Sequence, residues 1–195
     1  MTVAALPFRF DAEKHEYTLL DGGAVLPHIT GLLEASGWID PTHYTEESRI
    51  RGTAVHALCA HYDLGALPVD GCRSVYKPYL LAHAAAMGML RPEILAIESP
   101  AVHPIYRFGG RSDRVLKLSG LRGVWEIKSG AHEAPHAIQT ALQAMLDSVE
   151  CGIPAEHLGR WCCYVKASGK FSIEVHDSKS DFDVAREILR DYAGR

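Results

Sequence analysis

Between Arg107 and Lys128 lie residues that could hold and use a hard divalent cation. Asp113 is followed by Glu126 and, one residue further on, by Lys128. The stretch predicts two β-strands joined by a turn over Ser119–Gly123, with Val115, Leu116 and Leu118 in the first and Val124, Trp125 and Ile127 in the second. Side chains alternate along a strand, so Glu126 and Lys128 share one face and Trp125 and Ile127 the other. The apolar face is packed. The charged face must be solvated, ion-paired or metal-bound. Gly109 and Gly110, just before Asp113, leave room for another group to approach. An Asp and a Glu on adjacent strands can ligate a cation while a Lys orients or polarises a water.

The chain around this stretch is that of one globular domain. Its 195 residues are enough for a proper core, and 47% apolar against 23% charged residues argues against disorder. No apolar run reaches membrane-spanning length, and the first residues are too short for a signal peptide, so no membrane association is expected. Five cysteines without a Cys-x-x-Cys pair point to a reducing cytoplasm. The net charge of −4 is uneven. Residues 107–128 carry Arg107, Arg111, Arg114, Lys117, Arg122 and Lys128 against Asp113 and Glu126, a local surplus of cations. That suits a polyanionic substrate, or equally a solvated hairpin edge guarded by charge.

The elements that must position these residues follow from periodicity. Residues 6–27 predict an N-terminal β-hairpin turning at Asp21-Gly22-Gly23. A short helix follows, with Thr30 as N-cap and Gly37 just past its end. Asp40-Pro41 opens a helical region that continues through Arg49–His61 and stops near Gly65, with Val55, Leu58, Cys59 and Tyr62 as its apolar stripe. Gly52 lies one turn before His56 on the same face, which suggests close approach by another group. A helix from Lys77 to Met87 is read as core only, and 93–100 as a strand. Pro135 opens a helix to about Val149. Its Ile138, Ala141, Leu142 and Met145 face inward, and His136, Gln139 and Gln143 face the polar side. Two paired strands, 159–166 and 171–176, and a final helix capped by Ser180 complete an α/β sandwich, a central mixed β-sheet flanked by helices. His132-Glu133-x-x-His136 matches the zinc-protease pattern literally, but Pro135 falls inside the turn that a single helix would need.

Asp113 with Glu126-x-Lys128, preceded by Arg51-Gly52-Thr53-Ala54-Val55-His56, resembles the PD-(D/E)XK nuclease superfamily in its RecB- and lambda-exonuclease-like branch. By motif the resemblance covers roughly residues 45–150, and by element order the whole chain. It implies a restriction-endonuclease-like core in one domain, with an N-terminal hairpin and helical part over about 1–90 and a catalytic core over about 91–195. It further implies Mg²⁺ or Mn²⁺ held by His56, Asp113, Glu126 and the Ile127 carbonyl, with Glu98 as an additional candidate and Lys128 positioning the attacking water. Gln139, Gln143, Arg51 and Arg111 would contact substrate, although Gln143 stands where the family has a tyrosine. Some relatives carry a four-cysteine iron–sulfur site. Cys162 and Cys163 are adjacent, the spacing does not fit, and no iron–sulfur cluster is expected. The implied activity is metal-dependent DNA hydrolysis, as an exonuclease in recombination, repair or phage DNA processing, with DNA and a recombination or phage protein as partners. The alternatives are a nuclease-like module that binds nucleic acid or protein without cutting, and a zinc hydrolase built on His132 and His136.

Overall fold

The computed structural model describes residues 6–194. Part of the N-terminal stretch read as too short for a signal peptide therefore lies outside the described residues.

Strands β1 (Phe8–Asp11), β2 (Glu16–Leu19) and β3 (Val25–Leu26) form a small antiparallel sheet. The expected turn at Asp21-Gly22-Gly23 joins β2 to β3, and β1 pairs with the other edge of β2. The central sheet comprises β4 (Glu93–His103), β5 (Phe108–Leu118), β6 (Leu121–Lys128), β7 (Gly159–Val165) and β8 (Phe171–Val175), in that spatial order. Only β6 and β7 run parallel. A parallel neighbour requires a crossover, and helix α4 (Pro135–Cys151) supplies it before Gly152, at φ +71°, stops the helix. The β5–β6 turn is shorter than expected. Leu118 pairs with Leu121, leaving Ser119 and Gly120 as the only loop residues, both at positive φ. That geometry matches the twist of the flanking strands, so Leu121–Gly123 are drawn into the ladder.

Each face of the central sheet is covered. Leu116, Trp125, Ile127 and Cys163 pack against helices α2 (Glu46–Asp63) and α3 (Lys77–Leu90) through Val55, Cys59, Ala86 and Met87. Val124 faces the other way, onto α4, with α1 (Ile29–Ala35) and α5 (Ser180–Ala193) packed beyond it. Helix α4 is therefore enclosed by the sheet on one side and by helices on the other. This corrects the expected polar face, because His136 and Gln143 are both buried. Polar side chains persist there because each finds a partner.

Local capping differs from expectation at three helices, and at α5 the N-cap is Lys179, with no side-chain cap, so that the expected cap Ser180 lies inside the helix. The N-cap of α1 is His28, whose Nδ1 accepts the Gly31 N–H at 3.3 Å, and Thr30 lies inside the first turn. The helical region opened by Pro41 is a separate 3-10 turn, Pro41–His43, capped by Asp40, and α2 starts afresh behind its own cap, Thr45. Among the described residues no helix is long and apolar enough to cross a membrane.

The glycine pair ahead of Asp113 is explained by what docks on it. A Cβ at Gly109 would lie 2.3 Å from the Tyr17 ring, and one at Gly110 would lie 2.4 Å from Ile29. The Gly109 N–H also donates to the Pro27 carbonyl at 2.8 Å. The small sheet and α1 thus sit directly on β5. Gly109→Ala should lower stability by about 1–3 kcal/mol through overpacking. Gly88→Ala should raise it by about 0.5–1 kcal/mol, because that Cβ meets nothing within 4 Å on a helix. Urea unfolding midpoints of the two variants check both signs.

Candidate metal centre

Backbone pairing between β5 and β6 runs from Leu118–Leu121 to Arg114–Trp125 and stops there. The Ile127 N–H donates instead to Asp113 Oδ2 at 2.6 Å, so a side chain takes the place of the next backbone acceptor. Asp113 Oδ1 lies 2.9 Å from Nδ1 of His56, which α2 brings in from the neighbouring layer. Glu98 stands opposite Asp113 across the β4–β5 ladder, between the pairs Ile97–Arg114 and Ser99–Ser112. Its φ of +49° is unusual for a non-glycine residue within a strand. One ligand atom each from His56, Glu98 and Asp113 lie within 4.8 Å of one another. Protein donors about 2.0–2.6 Å from a common ion are spaced on this scale.

The group that converges differs from the expected ligand set in one residue. Glu98 belongs to the converging group and Glu126 does not. Both Glu126 oxygens are occupied. Oε1 accepts from Gln139 at 2.6 Å and Lys128 at 3.1 Å, and Oε2 accepts from Gln143 at 2.7 Å. Lys128 also donates to Gln139 Oε1 at 2.8 Å. Gln143 makes a second bond, to the Arg111 carbonyl at 3.1 Å, and is 1% exposed. Gln143, expected at the substrate, is instead sealed from solvent and bonded to Glu126. Ile127 buries its side chain in the opposite core and gives its N–H to Asp113.

Two cavities meet at this point. One of about 620 Å³ is walled by Glu98, Arg111, Asp113 and, from the small sheet, His15. The other, of about 350 Å³, is walled by Lys128, Arg51 and Tyr44. His56, Glu126 and Gln139 line both. Gly52 lines both as well, and a Cβ there would meet nothing within 4 Å. The close approach expected at Gly52 is absent, and the glycine widens the cavity next to His56.

A buried network behind the site has no counterpart in the sequence reading. Asp63 Oδ2 accepts from Arg114 Nε at 2.6 Å and lies 2.8 Å from His83 Nε2, with all three side chains essentially inaccessible. Arg114 donates further to the Asp113 carbonyl and lies 3.8 Å from Glu98. It thus braces the backbone of Asp113 and the charge of Glu98. By periodicity alone, α3 reads as core. The available signal was a histidine at helical spacing between Leu80 and Met87, on the buried stripe.

Proton affinities follow from this packing. Burial alone would depress the His56 imidazole, but the Asp113 charge and hydrogen bond outweigh it and raise the pKa to about 8. Burial would raise Asp113, yet the His56 charge and the donors around it hold its pKa at about 2. Glu98 is pushed up to about 7 by burial and then by the Asp113 charge, with Arg111 opposing. Burial opposes the charged form of Lys128, but the Glu126 carboxylate prevails and keeps its pKa above the usual lysine value.

Other features named from the sequence are placed elsewhere. His132 lies in the loop before α4, stacked on Tyr164 and 3.1 Å from Glu174, while His136 Nδ1 shares a hydrogen bond with the Tyr164 hydroxyl at 2.9 Å. The two histidines of the zinc-like pattern are not on one helix, since α4 begins at Pro135. The basic stretch is largely neutralised in place. Arg111 pairs with Glu98, Arg114 with Asp63, Lys117 with Glu93, Arg122 with Asp147 and Lys128 with Glu126. All five cysteines are free thiols. Cys162 and Cys163, adjacent on β7, point to opposite faces of the sheet.

No family model and no curated protein matches this chain.

Two outcomes follow from the geometry. Asp63→Ala leaves Arg114 buried without its partner and should cost about 3–5 kcal/mol, read from urea unfolding. Mn²⁺ affinity, measured by titration calorimetry, should rise between pH 6 and 8. Over that range His56 and Glu98 shed the protons that compete with an ion. Without metal the sign reverses for His56. Its raised pKa contributes stability that is complete below its unfolded value near 6.5 and is lost as pH rises through about 8.

Proposed function

We propose that this chain is a divalent-metal-dependent deoxyribonuclease that hydrolyses phosphodiester bonds, with His56, Glu98 and Asp113 as its metal ligands. One observation carries the reading: an imidazole from α2 and carboxylates from β4 and β5 converge on one cavity wall, with the Lys128 ammonium held close by. The donor set fits the ion. Two carboxylates suit a hard cation, and a neutral imidazole is well matched to Mn²⁺ and tolerated by Mg²⁺. Two anionic oxygens drawn together at partial burial also repel each other, which a dication would relieve. The Ile127 carbonyl belongs to the same proposal as a further oxygen donor.

A divalent ion held there would polarise a phosphoryl oxygen and make a bound water more acidic. The chain's own residues supply positioning and charge. Two of the Lys128 N–H groups are directed to Glu126 and Gln139, and the third, without a partner among the described residues, would serve the attacking water or a non-bridging phosphate oxygen. Glu126, tied by Gln139 and Gln143, keeps that ammonium in place and charged. An exonucleolytic mode and a place in recombination, repair or phage DNA processing rest on the motif resemblance alone.

The test is cleavage of linear and circular DNA, single- and double-stranded, with Mg²⁺ or Mn²⁺. Asp113→Ala, Glu98→Gln and Lys128→Ala should each lower the rate by about 100-fold or more, with circular dichroism unchanged. Full activity in Asp113→Ala would refute the assignment. DNA binding by the wild type without cleavage in either metal would favour the non-cutting module instead.

A further inference from the structure

The cavity beside Lys128 continues away from the metal ligands. Tyr44, Ser48, Arg51 and Pro135 line both it and a third cavity of about 600 Å³, which extends to Trp38 and His43. Three features coincide along this groove. First, two large aromatic side chains remain open to solvent, Trp38 at 38% and Tyr44 at 37%, whereas Trp125 and Trp161 are buried. Second, Arg51 has no ion pair or hydrogen bond among the described residues, and its Nε is shielded from solvent without a partner. Most arginines that flank the metal cluster are engaged, as Arg111 and Arg114 are by Glu98 and Asp63. Third, the two cavities share this wall, and the first of them reaches Lys128 and His56.

We propose that this groove seats a single-stranded polynucleotide, with its bases stacked on Tyr44 and Trp38 and a phosphate on Arg51. Aromatic faces accept any base, and a guanidinium with free N–H groups matches a phosphate oxygen pair. The direction of the strand toward Lys128 rests on the nuclease reading, but binding does not. The remaining charges in the groove are accounted for. Asp40 pairs with His43 at 3.4 Å and caps the Pro41–His43 turn, and Glu133 lines the wall facing Tyr44 and Arg51. With Glu133 in the same wall and Arg51 and Lys128 as the arginine and lysine lining it, attraction to the backbone is modest and stacking dominates. The slope of log affinity against log salt should therefore be no steeper than about −1.4, the value for two phosphate contacts on a single strand.

The experiment uses octathymidylate in EDTA, with binding followed by tryptophan fluorescence and by anisotropy of a labelled oligonucleotide. Trp38 is the exposed tryptophan, so saturable quenching should appear in the wild type and vanish in Trp38→Phe. Tyr44→Ala should weaken binding about 5- to 150-fold, the loss of one base stack, while Tyr44→Phe stays within about twofold because the ring is kept. Octauridylate bound with the same dependence on Tyr44 also supports the groove and leaves it indifferent to the sugar. Unchanged affinity in Tyr44→Ala, binding without quenching, no binding of either oligonucleotide, or a duplex bound as well as the single strand overturns the proposal. The two readings fail separately. Saturable quenching in a protein that never cleaves removes the nuclease assignment and keeps the groove. Metal-dependent cleavage with KM unchanged in Tyr44→Ala does the reverse.

Discussion

The site depends on one hydrogen bond, from the Ile127 N–H to the Asp113 carboxylate. A buried N–H must be satisfied, and in a regular ladder a backbone carbonyl of β5 would do it. Here backbone pairing ends at Arg114–Trp125, and the side chain one residue earlier on β5 supplies the acceptor. One Asp113 oxygen is thereby fixed against β6, and the other is presented to His56. The Asp113 carbonyl is taken by the Arg114 guanidinium, which Asp63 and His83 in turn balance. Each polar group in this sequence of contacts is placed by the need of the one before it.

That order explains how acidic groups coexist so close together. Glu98 and Asp113 face each other across a ladder, and the charges that make this tolerable come from separate layers: Arg111 and Arg114 from β5, His56 from α2. Glu98 adopts a positive φ to reach the group. Such strain persists only where the surroundings hold it, and here two arginines grip the same carboxylate. Without an ion, the proton on His56 supplies the positive charge.

Much of the frame could be read from local pattern. Alternation placed Trp125 and Ile127 in one core and Glu126 and Lys128 on the other face, as observed. Val55 and Cys59 at helical spacing marked the inner face of α2, and the glycine pair before Asp113 marked a close approach, which Tyr17 and Ile29 make. Local pattern misled where the environment was not local. Gln143 reads as a solvent-facing amide because its helix has an apolar stripe elsewhere, yet α4 is enclosed on both sides and Gln143 is drawn in to serve Glu126. The cluster of basic residues reads as a polyanion-binding strip only until their acidic partners, scattered along the chain, are folded against them.

By itself the sequence determined the chemical inventory and its faces: a carboxylate and a lysine two residues apart on one side of a strand, an acid on the strand before it, and a histidine one turn from a glycine on a helix. Residue type and side-chain alternation are local properties, and they survive any arrangement of the layers. Which glutamate comes together with His56 and Asp113 was decided only by the tertiary structure. Glu126 is drawn aside by two amides from α4, and Glu98 is turned inward by a backbone angle that two arginines stabilise. Both outcomes are competitions for hydrogen-bond partners among residues distant in the chain, and such competitions have no period along it.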